Sequence, residues 1–299
     1  MIEIRKLPAS AGAEWLLTGF SLLRRAPLAL GLLGVIWGLS ALLVLFAALL
    51  SPTLGMLAQF LLALAGPLFF GGLIWAVREV DQGRAAQPAH LLQGLHEGRA
   101  PNLLAALLPQ LIAGLALGIL LLLLIGQDGL KQLGEVMAQL NALSQSTTQP
   151  DPAQVEQLVA SLPAGRILLW LLLVFAAFAV LTLTLFVLPP QVMFDRSNGL
   201  VAMRNSLRAC LHNLPAMLVF FVLAFIAMFA VYFAVVLVML VVQLLAGPMV
   251  AAWVAQLLLM AVAMPALAGA VYAAWKQMFV HADDAGAASP PPSANVFAA

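Results

Sequence analysis

The chain has 299 residues, 64% of them hydrophobic and 8% charged, with a mean hydropathy of +1.07. A soluble domain carries roughly a quarter charged residues, and a soluble fold of this length needs polar side chains to cover its surface. The composition therefore excludes a water-soluble globular enzyme, a disordered chain and a nucleic-acid binder, and leaves a polytopic membrane protein. The net charge of +1 says nothing about partners.

The first 25 residues hold Arg5, Lys6, Arg24 and Arg25. The apolar run behind them is too long for a signal-peptide core, so the segment reads as retained. Residues 26–77 contain no Lys, Arg, Asp or Glu. A helix needs about 20 apolar residues to cross the hydrocarbon, so this run predicts two spans, split at Ser51-Pro52. Residues 100–127 predict a third span, from about Leu103 to Ile125. Residues 167–194 predict a fourth, ending near Pro189-Pro190. Residues 209–275 predict a fifth and sixth, split at Ala246-Gly247-Pro248, where Pro and Gly disfavour helix continuation. Uniform apolar runs satisfy their backbone groups in lipid as helices. The expected fold is all-α, a polytopic membrane protein of six transmembrane helices. Residues 1–280 read as a single six-span domain with an outer helical loop at 126–166, and residues 281–299 as a disordered cytoplasmic tail.

Six spans put both termini on one side. That side carries 11 of the 13 Lys and Arg residues; Lys131 and Arg166 fall on the other. The positive-inside rule then places both termini in the cytoplasm.

An arginine-bearing amphipathic segment precedes each odd span: EWLLTGFSLLRRAPLALGLL from Glu14, PAHLLQGLHEGRAPNLLAALL from Pro88, and GLVAMRNSLRACLHNLPAMLVF from Gly199. Helical spacing puts Leu16, Phe20 and Leu23 on one face in the first. It does the same for Leu91, Leu92 and Leu95 in the second, and for Leu200, Met203, Leu207 and Leu211 in the third, with Arg204 and Arg208 stacked four apart on another side. The even spans carry Pro67, Pro189 and Pro265 in or at the end of their cytoplasmic halves. The pattern reads either as three copies of one unit, a threefold internal repeat with cytoplasmic interfacial helices, or as shared constraints on cytoplasmic helix ends.

The segments LPASAGAEWLLTGFSLLRRAP, QPAHLLQGLHEGR and PPQVMFDRSNGLVAMRNSLRACLHN resemble an uncharacterised family of six-span inner-membrane proteins of proteobacteria. More distantly, they are similar to proteins related to the glycerophosphodiester phosphodiesterase membrane domain. The resemblance covers most of the chain apart from the outer loop and tail. It implies the topology and a bacterial inner membrane, and carries no mechanism.

In the outer loop, Leu130, Leu133, Met137 and Leu140 follow helical spacing, as do Val155, Leu158, Val159 and Leu162 behind Asp151-Pro152. Ser144 to Gln149 reads as a flexible tip. Two helices on the outer face are the plain reading; a lid or docking cap is the sharper one.

No ionisable residue lies inside a predicted span, which counts against an ion-coupled carrier. The polar residues at depth are Gln59, Gln110, Thr182, Thr184, Gln243 and Gln256. Packing through interhelical hydrogen bonds is their ordinary role; a polar cavity formed by Gln59, Gln110, Gln243 and Gln256 is the alternative. Gly66-Pro67 and Gly71-Gly72 allow close helix approach, or else a broken helix. His90, His96, His212 and Cys210 lack metal-ligand spacing, and no phosphate-loop or hydrolase motif is present. The sequence points to no catalytic residue, metal or cofactor. Arg24, Arg25, Arg99, Arg204 and Arg208 precede the odd spans beside apolar faces, which makes them candidates for contact with anionic lipid headgroups or a membrane-protein partner. The leading expectation is a non-enzymatic membrane protein supporting assembly or envelope homeostasis. The rival is a permease for a lipid or neutral solute. A headgroup-acting enzyme, which would require Asp195, His212 or His96 to converge, stands third.

Overall fold

Charge-free apolar runs leave the backbone one economical solution in lipid, and the chain adopts it. The computed structural model describes residues 3–145, 155, 156, 158, 160 and 162–279. Six of its helices are long and apolar enough to cross a membrane. The helices are α1 (Ala11–Arg25), α2 (Pro27–Leu50), α3 (Pro52–Asp81), α4 (Gln93–His96), α5 (Ala100–Leu104), α6 (Leu107–Gln145), α7 (Ala164–Leu185), α8 (Leu188–Met193), α9 (Gly199–His212), α10 (Leu214–Ala246) and α11 (Pro248–Met278), with a 3-10 turn at Pro88–Leu92. The expected tip beyond residue 145, the Asp151-Pro152 helix start, Val159 and the tail lie outside the described residues.

The predicted splits at Ser51-Pro52 and Ala246-Gly247-Pro248 are where the helices stop, whereas the fourth span's helix stops at Leu185 and Pro189-Pro190 lie in the first turn of α8. Both α3 and α11 start on a proline at the first turn, where the missing N–H costs nothing. Gly247 between α10 and α11 has φ 85°, a conformation glycine adopts freely. Gly126, at φ 75° and ψ 171°, interrupts α6, close to the predicted end of the third span at Ile125.

The chain divides into two compact units, residues 107–182 and the remainder. In the smaller unit, Trp170 Nε1 donates to the Leu117 carbonyl at 3.0 Å and Arg166 to the Leu124 carbonyl at 3.4 Å. Leu111, Ile112, Leu115, Leu123, Leu168, Phe175 and Phe178 are all exposed. Such a surface is costly in water and neutral in hydrocarbon, where lipid tails are as apolar as leucine. Past Gly126, Leu130, Leu133 and Leu140 of the expected face are half-buried and Val136 is buried beside them, whereas Met137 is exposed.

The larger unit holds α2, α3, α10 and α11 with the short helices at their arginine-rich ends. Its contacts follow a cyclic order. The 3-10 turn, α4 and α5, which precede the third span, pack on α3. Helix α9, which precedes the fifth, packs on α8. Helix α1, which precedes the first, packs on the last, α11. Each interfacial segment thus lies on an even span or its proline-bearing end. The α3 and α11 sequences share an offset pattern: a glycine four residues and a basic residue eleven residues after the proline, namely Gly71 and Arg78 after Pro67, and Gly269 and Lys276 after Pro265. The fourth span departs from it.

Small residues make these approaches. A Cβ on Gly19 would lie 2.2 Å from the Ala266 carbonyl oxygen, and one on Gly12 would lie 2.1 Å from that of Ala216. Seven residues apart on one face of α1, these two glycines let it cross both α10 and α11. The same face buries Trp15, Leu16 and Leu22. A strap before α1 completes the unit: Ile4 pairs with Phe279 in an antiparallel bridge, and Arg5 N–H donates to the Met278 carbonyl at 2.9 Å. The two ends of the described chain therefore lie on the same side.

Two face assignments need correction. In α9 the buried residues are Gly199, Ala202, Met203, Ser206, Ala209 and Cys210, whereas Leu200 and Leu211 are 63% and 55% exposed. Small residues and Met203 pack inward, Leu207 is half-buried, and Leu200 and Leu211 point out. In the second segment Leu91 is buried while Leu92 and Leu95 are exposed, because the 3-10 turn rotates each residue by about 120°.

Candidate functional site

The chemistry-bearing side chains gather at the arginine-rich end of the larger unit. Asp81, at the last turn of α3, accepts from Lys276 Nζ at 2.9 Å and Tyr272 OH at 3.1 Å, and lies 3.8 Å from the Arg25 guanidinium. Asp195, just after α8, accepts from Trp275 Nε1 at 2.9 Å. The Arg78 guanidinium sits 4.6 Å from the centre of the Phe194 ring and 5.8 Å from that of Trp75, within cation–π range. Phe194, Tyr272 and Trp275 pack on one another. Four parts of the chain are tied here by charge and aromatic contact, and each carboxylate already has a donor. Ion pairs this exposed contribute about 0–1 kcal/mol each, so the aromatic packing carries more of the stability than the charges do.

Helix α9 presents a different surface. Its N-cap is Asn198, whose side chain accepts from Leu200 N–H, and its inner face is fastened by Ser206. That hydroxyl donates to the Leu183 carbonyl at 2.8 Å and accepts from Val187 N–H at 3.2 Å. Cys210 is fully buried, and burial pushes its thiol pKa up to about 12. With this face committed, Arg204, Arg208 and His212 form an exposed stripe at four-residue spacing, beside exposed Leu200 and Leu211. At the C-terminal end of the stripe, Ile4, Arg208, Leu211 and His212 line an open cleft of about 460 Å³. The wall carrying Ile4 is held by Asn213. Its Oδ1 accepts from Leu7 N–H at 2.7 Å, and its Nδ2 donates to the carbonyls of Arg5 and Ala209, each at 3.0 Å.

The sequence-derived candidates fall into three groups. Arg204 and Arg208 share the α9 surface. Arg24 and Arg25 are exposed at the end of α1, with Arg25 turned toward Asp81. Arg99 is half-buried, and its Nε has no hydrogen-bond partner. Of the glutamines, Gln59, Gln110 and Gln243 face outward from their helices and Gln256 is half-buried. A cleft of about 200 Å³ between α2 and α3 is lined by Ser40 and otherwise by apolar residues such as Leu43, Leu61 and Phe69, with none of these glutamines on it. Thr182 donates to the Phe178 carbonyl of its own helix at 2.8 Å, so its bond is intrahelical. His96 and His212 are exposed, and Asp195 is engaged by Trp275. Among the described residues, no group of three or more His, Cys, Asp and Glu is placed to hold a metal ion.

Sequence reasoning missed Asp81, Tyr272, Trp275, Asn213 and Gln191. The Gln191 side chain is fully buried, and neither its Oε1 nor its Nε2 has a partner. The aromatic–basic pair Trp275-Lys276 at the end of a span was the available signal. No family model, curated protein or solved structure matches the chain.

Proposed function

We propose that this integral membrane protein is a non-catalytic component of the bacterial cytoplasmic membrane, with both termini in the cytoplasm and its interfacial helices in contact with anionic lipid. In this reading it supports membrane assembly or envelope homeostasis, alone or with a membrane-protein partner. One observation carries the reading. On α9, Arg204 and Arg208 stand exposed beside Leu200 and Leu211, which are exposed too. A helix with leucines and arginines side by side on its free surface suits the boundary between acyl chains and headgroups. The excess of Lys and Arg on one side supports the orientation.

Each basic residue near an anionic leaflet contributes about 1 kcal/mol, so replacing Arg24, Arg25, Arg99, Arg204 and Arg208 together by Gln should be plainly visible. The test is native mass spectrometry of the full chain released from vesicles of equal phosphatidylglycerol and phosphatidylcholine content. The wild type should retain phosphatidylglycerol preferentially, and the five-site variant should lose that preference by roughly tenfold or more, the factor that 1.4 kcal/mol represents. Equal lipid profiles would refute the reading. Protease access to the strap in sealed vesicles of known orientation tests the sidedness.

A further inference from the structure

The cleft at the end of α9 has features that general lipid contact does not require. We propose that it is a discrete site for the phosphodiester of one anionic glycerophospholipid, held by Arg208 and His212 with its acyl chain along Leu211. The proposal rests on the lipid-contact reading above and narrows it to one place.

Two donors converge on the opening. Arg208 and His212 are one helical turn apart, about 6 Å along the axis, and both line the cleft with Ile4 and Leu211. A guanidinium offers a planar fork of N–H donors matched to phosphate oxygens, and an imidazole supplies another. Arg204 continues the basic stripe one turn back. The volume of about 460 Å³ falls in the range of small-molecule sites and accommodates a glycerophosphate headgroup.

The walls are fixed. Asn213 pins the strap on one side through Leu7 and Arg5. Ser206 and the buried Ala202, Ala209 and Cys210 hold α9 on the other. A site held by its surroundings loses less entropy on binding than a free surface arginine does. The strap adds Arg5 and Lys6 next to Ile4; its one acidic residue among those described is Glu3. The C-terminal end of α9 brings negative partial charge toward the opening, so the side chains, and no backbone anion nest, must do the binding. The apolar component favours a lipid over free phosphate: Leu211 lines the cleft and Leu200 is exposed two turns and more back along α9, as an acyl chain requires and an inorganic anion does not.

The experiment uses the full chain in the same mixed vesicles, with two variants read side by side. R208Q/H212Q should lose one tightly retained phosphatidylglycerol and cut its enrichment over phosphatidylcholine at least fivefold. R24Q/R25Q/R99Q/R204Q should keep that one lipid while losing looser ones. If R208Q/H212Q matches the wild type while the four-arginine variant loses anionic lipid, the cleft is refuted and the broader reading stands. If neither variant loses lipid, both fall. Displacement of the retained lipid by millimolar glycerol phosphate or inorganic phosphate would overturn the lipid assignment. A phosphatidylglycerol with a photoreactive headgroup gives a second readout on wild-type protein: it should crosslink to the peptides containing residues 4–7 and 207–213, and crosslinks confined elsewhere would refute the site.

Discussion

Asn213→Ala tests the strap directly. The native side chain is 1% exposed and makes three hydrogen bonds, to Leu7, Arg5 and Ala209. The Ala209 carbonyl keeps a second donor, the Asn213 backbone N–H at 3.1 Å, so its loss is minor. Arg5 is exposed, and its carbonyl turns to water at little cost. Leu7 is half-buried, and its orphaned N–H costs about 1–2 kcal/mol. The small cavity and the loosened strap bring the total to roughly 2–3 kcal/mol. At about 2–4 °C per kcal/mol, the unfolding midpoint in mild detergent should fall by roughly 4–12 °C. Tryptic cleavage at Arg5 and Lys6 should accelerate in parallel. Asn213→Asp sharpens the test. It keeps the acceptor for Leu7 but buries a carboxylate and removes both donors. Burial raises its pKa above the unfolded value, so the variant should be most stable at low pH and lose stability as pH rises from 4 toward 7. An Asn213→Ala protein with wild-type melting and wild-type cleavage at the strap would refute the reasoning.

Glycine substitutions should split by location. Gly19→Ala drives a Cβ to 2.2 Å from the Ala266 carbonyl oxygen and should destabilise by about 3 kcal/mol. Gly114→Ala meets nothing within 4 Å and should stabilise by up to about 1 kcal/mol; thermal melts compare the two. Gln191→Leu removes a buried amide with two unpartnered atoms and should raise stability by about 1–3 kcal/mol, and a lower melting point would show that the amide is needed. Cys210 is the sole cysteine, and its thiol pKa is pushed from 9.0 to about 12. Maleimide should therefore label it only on unfolding at pH 7–8, whereas fast labelling of native protein would contradict its burial. The sign of the linkage follows: the folded state holds the proton more tightly, so this contribution is intact below about pH 9 and is lost as pH climbs toward 12.

The span boundaries were legible because proline and glycine act locally. Pro52, Gly126 and Gly247-Pro248 disrupt or redirect the backbone wherever the rest of the chain goes. The faces of α9 were not legible, for a reason specific to lipid. Leucine marks the interior of a soluble helix because water is the alternative. Against hydrocarbon that preference vanishes, and Ala202, Ser206 and Ala209 take the inner positions because small residues allow close approach. The stacking of Arg204 and Arg208 on one side of α9 was legible from their spacing. What could not be read was the cleft at the end of that stripe, since its wall depends on the strap reaching Asn213 across 206 positions. The links from Tyr272 to Asp81 and from Trp275 to Asp195 span 191 and 80 positions, beyond any periodicity.

The packing of α1 on α11 has a consequence for biosynthesis. The ribosome releases α1 long before α11, yet α11 carries the Ala266 carbonyl beneath Gly19 and the Gln277 side chain that accepts from the Trp15 indole N–H at 2.8 Å. Phe186 and Phe220 emerge earlier and pack on the Trp15 ring, so the groove for Gly19 and the acceptor for the indole N–H are what α1 waits for. A nascent chain halted after the fifth span would leave both uncovered, a mark by which quality-control proteases could tell unfinished copies from finished ones.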